Sequence, residues 1–104
     1  MRNSNFQLTV SEDAELDILE GYLWYEEQKA GLGDLFLKEL DNSFNKIINN
    51  PDYYHFAQAN TRAYSVKKYP FCIVYCLTKN LIQIIAVFHT SRNPTDWHER
   101  ELSH

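Results

Sequence analysis

The stretch FCIVYCLTKNLIQIIAVF, residues 71–88, decides the fold. Two apolar runs, FCIVYCL at 71–77 and LIQIIAVF at 81–88, flank a turn of Thr78, Lys79 and Asn80. β-Branched and aromatic side chains dominate both. Runs of that length and composition, joined by a tight turn, read as central strands buried on both faces. Upstream, residues 61–68 alternate loosely and read as a further strand. Tyr69-Pro70 breaks it off, because proline cannot donate to a ladder. Three antiparallel strands in a meander are the simplest connection.

The first half of the chain is helical. Phe6, Leu8 and Val10 alternate with Gln7 and Thr9, the pattern of a short strand with one buried face. Ser11 offers an N-cap, and Glu12, Asp13 and Glu15 place negative charge where the helix dipole favours it. Ala14, Ile18, Tyr22 and Tyr25 follow at helical spacing. Leu19 and Leu23 widen this stripe and are expected to pack with it. Gly31-Leu32-Gly33 then turns the chain. A second helix is predicted over residues 34–48, with Phe36, Leu40, Phe44 and Ile47 on one face and Asn49-Asn50-Pro51 as its stop. So short a connection implies an antiparallel helical hairpin.

Residues 52–60 show no period and read as a loop. The tail from His89 is polar, with a short helix expected after Pro94 and Trp97 set against either the core or a partner. The whole order predicts an α+β fold, in which an N-terminal strand and an α-helical hairpin pack on a mostly antiparallel four-stranded sheet. With 104 residues, the chain forms one domain and one core.

The net charge of −4 argues against a nucleic-acid binder. Its distribution is uneven. Residues 1–52 hold 4 basic and 11 acidic residues, and residues 53–104 hold 6 basic and 3 acidic. The acidic half belongs to the helical hairpin and the mildly basic half to the strands and tail. Cys72 and Cys76 are the only cysteines. Four apart on a strand, they lie roughly 13 Å from each other, too far for a disulfide. Reduced thiols suit a cytoplasmic protein. The polar stretch Arg2-Asn3-Ser4-Asn5 after Met1 gives no secretory leader, and no apolar run approaches the roughly 20 residues of a membrane span.

No phosphate-binding glycine loop, G-x-S-x-G or H-E-x-x-H occurs, and no ligand cluster suggests a metal. No cofactor is expected. The remaining chemistry lies at the strand ends. Arg62 opens one strand, Lys67 and Lys68 close it, His89 ends the last strand, and Arg92 follows. The polar ends of strands flanking a common neighbour are expected to converge into a small basic patch beside a histidine. Such a patch suits a phosphate backbone: arginine offers a fork, lysine a point charge, and histidine a proton donor or acceptor near neutral pH. The plainer alternatives stay open. Lys67 and Lys68 also serve to keep a sheet edge soluble, Arg62 and Arg92 to form internal salt bridges, and His89 to satisfy the fold.

The ordered set of motifs resembles the RelE/ParE superfamily, toxins of bacterial type II toxin–antitoxin systems. It consists of Ala14…Asp17-Ile18…Tyr22, GLGDLFLKEL, Ile47…Asn50-Pro51, Arg62, VKKYPFCIVYCL and IIAVFHTSRNP. The resemblance covers about residues 6–100 and is somewhat closer to the ParE-like branch. It implies a growth-inhibiting α+β toxin neutralised by a cognate antitoxin, with operator DNA reached only through that antitoxin. It implies one of two targets: DNA gyrase for a ParE-like member, or ribosome-bound messenger RNA for a RelE-like nuclease. An inactive, antitoxin-binding member is a further alternative. Only the RelE-like case makes the chain an enzyme. His89 would then act as acid or base, and Arg62 and Arg92 would hold the phosphate. Two features depart from the nucleases. They carry an arginine in the strand after the Pro–aromatic break, where Cys72 stands here, and they are more often basic, whereas this chain has a pI of about 5.5.

Overall fold

The two apolar runs form the central strands of a mixed sheet. In the computed structural model, residues 6–54, 56–58 and 60–91 are described. Their elements are β1 (Gln7–Val10), α1 (Glu12–Gln28), α2 (Leu32–Asn49), β2 (Phe56–Gln58), β3 (Thr61–Ser65), β4 (Phe71–Thr78) and β5 (Leu81–His89). The expected α+β architecture is present. The four expected strands are joined by a fifth, giving the order β1-β5-β4-β3-β2. β1 runs parallel to β5, and the other pairs are antiparallel. The added edge strand β2 lies inside the segment expected to be a loop. It is three residues long and its register shifts between Phe56 and Gln58, too short and irregular for a period of two to show. β3 ends at Ser65 rather than Lys68, because Lys68 takes a left-handed φ of 70° in the turn to β4.

Burial on both faces of the central strands is borne out. On one face Ile73, Tyr75, Ile82, Ile84 and Val87 pack against Phe36, Leu40 and Ile47 of α2 and Ala14 of α1. On the other, Val74, Ile85 and Ala86 are buried among half-buried Cys72, Cys76 and Phe88. Consecutive Ile85 and Ala86 share that face because β5 carries one extra residue there: Val74 pairs with Ala86, and Tyr75 with Ile84.

The hairpin forms as expected, with caps that explain its ends. Ser11 Oγ accepts from the Ala14 N–H at 3.1 Å. Gly31, at φ 95°, begins α2 without a side chain to cap it. Glu26 Oε1 supplies the cap, accepting from the N–H groups of Gly31 at 2.9 Å and Gly33 at 2.8 Å.

Leu19 and Leu23 do not join the core as expected; both are exposed. The buried face of α1 centres instead on Ala14 and Gly21, with Ile18 and Tyr25 packed beside them. A Cβ on Gly21 would meet the Phe36 ring at 2.8 Å, so this glycine sets the approach of α1 to α2. Leu19 and Leu23 are each two residues from Gly21, about 200° around the helix, and so point away. Among the described residues, no helix is long and apolar enough to cross a membrane.

Candidate functional site

β1 covers β5 only as far as Ile84, which pairs with Val10 and whose carbonyl accepts from the Ser11 N–H at 2.9 Å. Past that point α1 takes over the edge. Asp17 Oδ2 accepts from the Val87 N–H at 3.0 Å. β5 then ends at His89, opposite Phe71 at the start of β4. A cleft of about 370 Å³ opens between α1 and this end of the sheet. Asp17, Glu20, Gly21, Trp24 and Tyr25 form its helical wall, and Pro70, Phe71, His89 and Ser91 the opposite one.

The cleft is built on stacked rings. Phe71 meets His89 edge-on at 5.3 Å, Phe36 meets Phe71 at 4.9 Å, and Tyr25 meets Phe36 at 5.1 Å. Trp24 stands edge-on to Tyr25 at 5.0 Å and is mostly exposed. Burial, followed by the neighbouring Tyr69, pushes the Tyr25 phenol up from its ordinary value. His89 is held through Nδ1. Ser91 N–H donates to it at 3.2 Å, and Ser91 Oγ lies 2.7 Å away. An N–H donor on Nδ1 makes that atom an acceptor, so the neutral ring carries its proton on Nε2.

The structure brings some of the sequence-derived residues together. Lys67 and Lys68 are exposed in the turn closed by the Val66 N–H to Phe71 carbonyl bond, at the same end of the sheet as His89. Arg62 lies elsewhere. It pairs with Tyr75, four residues along β4 from Phe71 and so about 13 Å away. Its Nη1 donates to the carbonyls of Asp52 at 3.0 Å and Tyr54 at 2.8 Å, tying down the chain after α2. The Tyr75 hydroxyl donates to the Pro51 carbonyl at 2.7 Å in the same region. Burial, its largest influence, drives the Tyr75 phenol strongly up. Arg92, Pro94 and Trp97 lie outside the described residues.

Cys72 projects to the face opposite the helices, paired with Phe88 and Ser65. Both cysteines are free thiols. Burial pushes the Cys72 thiol up to about 11, against a smaller lowering by a hydrogen bond from the Tyr64 backbone. Among the described residues, no three histidine, cysteine, aspartate or glutamate side chains gather where they could hold a metal.

Two residues that line the cleft, Asp17 and Glu20, are not among the candidate site residues drawn from the sequence. For Asp17 a signal existed. It stands three residues from Ala14 and four from Gly21, on the buried face of α1. An aspartate on a buried stripe needs a donor, and Val87 provides one.

The fold is similar to that of a chain from the chromosomal ParDE toxin–antitoxin system of P. aeruginosa, with a TM-score of 0.75 and 12% identity, over 86% of this chain and 100% of that one. It is also similar to the isolated E. coli RelE toxin, with a TM-score of 0.59 and 13% identity, over 95% of this chain and 99% of that one. No curated protein matches the chain in sequence. The family model for the ParE toxin of the type II toxin–antitoxin system parDE matches residues 8–94. The chain belongs to the ParE toxin family of type II toxin–antitoxin systems.

Proposed function

We propose that the protein inhibits growth by acting on DNA gyrase, and that a cognate antitoxin neutralises it. The surface proposed to meet the target is the His89 end of the sheet, with Lys67 and Lys68 on its rim and Arg92 following. One observation carries the choice of a protein over a phosphate backbone: the Asp17 and Glu20 carboxylates share the cleft with His89. Carboxylates lining the same cleft oppose a second negative charge, such as that of a scissile phosphate, beside the histidine. A protein surface, which presents both signs of charge, fits lysines on one side and carboxylates on the other.

Two further observations support this reading over RNA cleavage. The Arg62 guanidinium is engaged by the Asp52 and Tyr54 carbonyls. The β4 position that carries an arginine in the nucleases is a half-buried, protonated thiol on the far face. A phosphate clamp of that kind supplies roughly 2–4 kcal/mol of transition-state stabilisation.

The test is growth of the host after inducing the chain alone and together with a candidate antitoxin. Growth should stop in the first case and continue in the second. The double variant Lys67→Glu/Lys68→Glu should lose most of its inhibition while melting at the same temperature as the parent. A double variant as inhibitory as the parent would remove this surface from the proposal.

A further inference from the structure

The cleft at the His89 end of the sheet has one wall of charge and one of rings. Asp17, Glu20, Gly21 and Trp24 lie within two turns of α1 and share the helical face that lines the cleft. Gly21 is buried and brings no side chain to the middle of that face, so the space between the carboxylates and the Trp24 ring stays open. The bond from the Val87 N–H fixes the Asp17 carboxylate. Across the cleft stand the rings of Phe71 and His89, edge-on to one another, with Tyr25 6.4 Å from Phe71. The Thr90 N–H donates to the Pro70 carbonyl at 2.9 Å, which ties the end of β5 to the turn before β4 and holds this wall in place.

The lining selects its ligand. Two carboxylates three residues apart on one helix oppose an anion and give a neutral apolar group nothing to match their charge. They call for a cation, and the rings beside them call for a flat one. A guanidinium is planar, weakly hydrated and armed with a fork of N–H donors, so it stacks on rings while it bonds to carboxylates. An ammonium is compact and gives up more hydration to enter. At about 370 Å³ the cleft stands near the lower end of ligand pockets, which run from roughly 300 to 1,000 Å³, and has room for one long side chain.

We infer that this cleft is a pocket for a guanidinium group, filled by an arginine side chain that a protein partner presents. The inference rests on the reading of the His89 end as a protein-binding surface and names the chemistry which that end selects.

The probe is N-acetyl-arginine methylamide, titrated into the ¹⁵N-labelled full chain. Shifts should map to residues 17–25, 71 and 89–91 and to the Trp24 indole N–H. The citrulline analogue, which keeps the shape and lacks the charge, should bind at least about tenfold more weakly, and the lysine analogue at least about threefold more weakly. Glu20→Gln, at an exposed position, should lose at least about tenfold with an otherwise unchanged amide spectrum. Trp24→Leu should lose at least about threefold. Equal binding of the citrulline analogue, shifts that avoid the cleft, or unchanged affinity of both variants would overturn the inference. Binding that appears only in Arg92→Ala would assign the cleft to the chain's own Arg92 and overturn it as well. Inhibition lost in Lys67→Glu/Lys68→Glu while the arginine probe fails to bind would keep the target surface and overturn the pocket. Arginine binding in the cleft with inhibition unmoved by that double variant would do the reverse.

Discussion

The Asp17 carboxylate accepts a hydrogen bond from the Val87 N–H at 3.0 Å, joining positions seventy residues apart. β1 stops at Val10, whose partner on β5 is Ile84, so among the described residues no strand continues alongside the upper half of β5 on that side. A helix cannot continue a ladder. A single carboxylate on its buried face satisfies one orphaned donor instead, and it fixes the helical wall of the cleft against His89.

Asp17→Ala should therefore destabilise the fold by about 1–3 kcal/mol, the penalty for a buried donor left unpaired. Asp17→Asn keeps an acceptor oxygen and should lose less. Urea denaturation of the three proteins gives the ordering. An alanine variant as stable as the parent would show that the bond contributes nothing.

The hairpin turn makes a second ordering. Glu26→Ala removes the acceptor shared by the Gly31 and Gly33 N–H groups and should lower stability by about 1–2 kcal/mol, in the range of lost helix caps. Gly31→Ala meets nothing within 4 Å but must hold φ 95°, so about 1 kcal/mol is expected. Gly33→Ala would place its Cβ 2.6 Å from the Tyr22 ring, which must move with α1, and should be the most damaging of the three. Thermal melts followed by circular dichroism rank them.

Arg62 and Tyr75 hold the chain after α2 by its carbonyls. Tyr75→Phe leaves the buried Pro51 carbonyl without its donor and should cost about 1–2 kcal/mol. Arg62→Lys, with a single ammonium in place of the fork, should be less stable than the parent yet keep its growth inhibition at permissive temperature. Inhibition lost from a well-folded Arg62→Lys protein would place Arg62 in the target surface.

Alkali should loosen the fold through Cys72. Its thiol titrates at about 11 against an ordinary 9.0, because burial penalises the thiolate. The folded state thus holds its proton more tightly. This contribution is complete below pH 9 and is lost as pH rises toward 11. Tyr75, also shifted up, acts in the same direction. At pH 8 the Cys72 thiolate is about a hundredfold scarcer than in the unfolded chain, so iodoacetamide should label the folded protein far more slowly. Equal labelling rates in the folded and unfolded states would contradict this.

What the sequence revealed and what it concealed share one physical cause. Long runs such as residues 71–77 and 81–88 announce themselves, because burial on both faces leaves no room for polar residues. The helix face was harder. Leu19 and Leu23 look like core, but the contact is set by Gly21, a residue with no hydrophobic signal, and by the Phe36 ring across from it. The strand Phe56–Gln58 is too short to declare a period. At the site, Lys67, Lys68 and His89 were legible as strand-end residues, whereas the distance from Arg62 to His89 depended on strand register. The carboxylates of Asp17 and Glu20 were hidden among the many acids of α1. Only the packing of that helix on β5 distinguishes them from a solvated face.

The most direct test of the account is to induce this chain in its host and map trapped gyrase–DNA breaks and cut messenger RNA in the same cells. Growth arrest with gyrase-dependent breaks and intact messenger RNA is the expected result. Uninhibited growth with soluble protein present, or arrest with cut messenger RNA and no gyrase breaks, would contradict it.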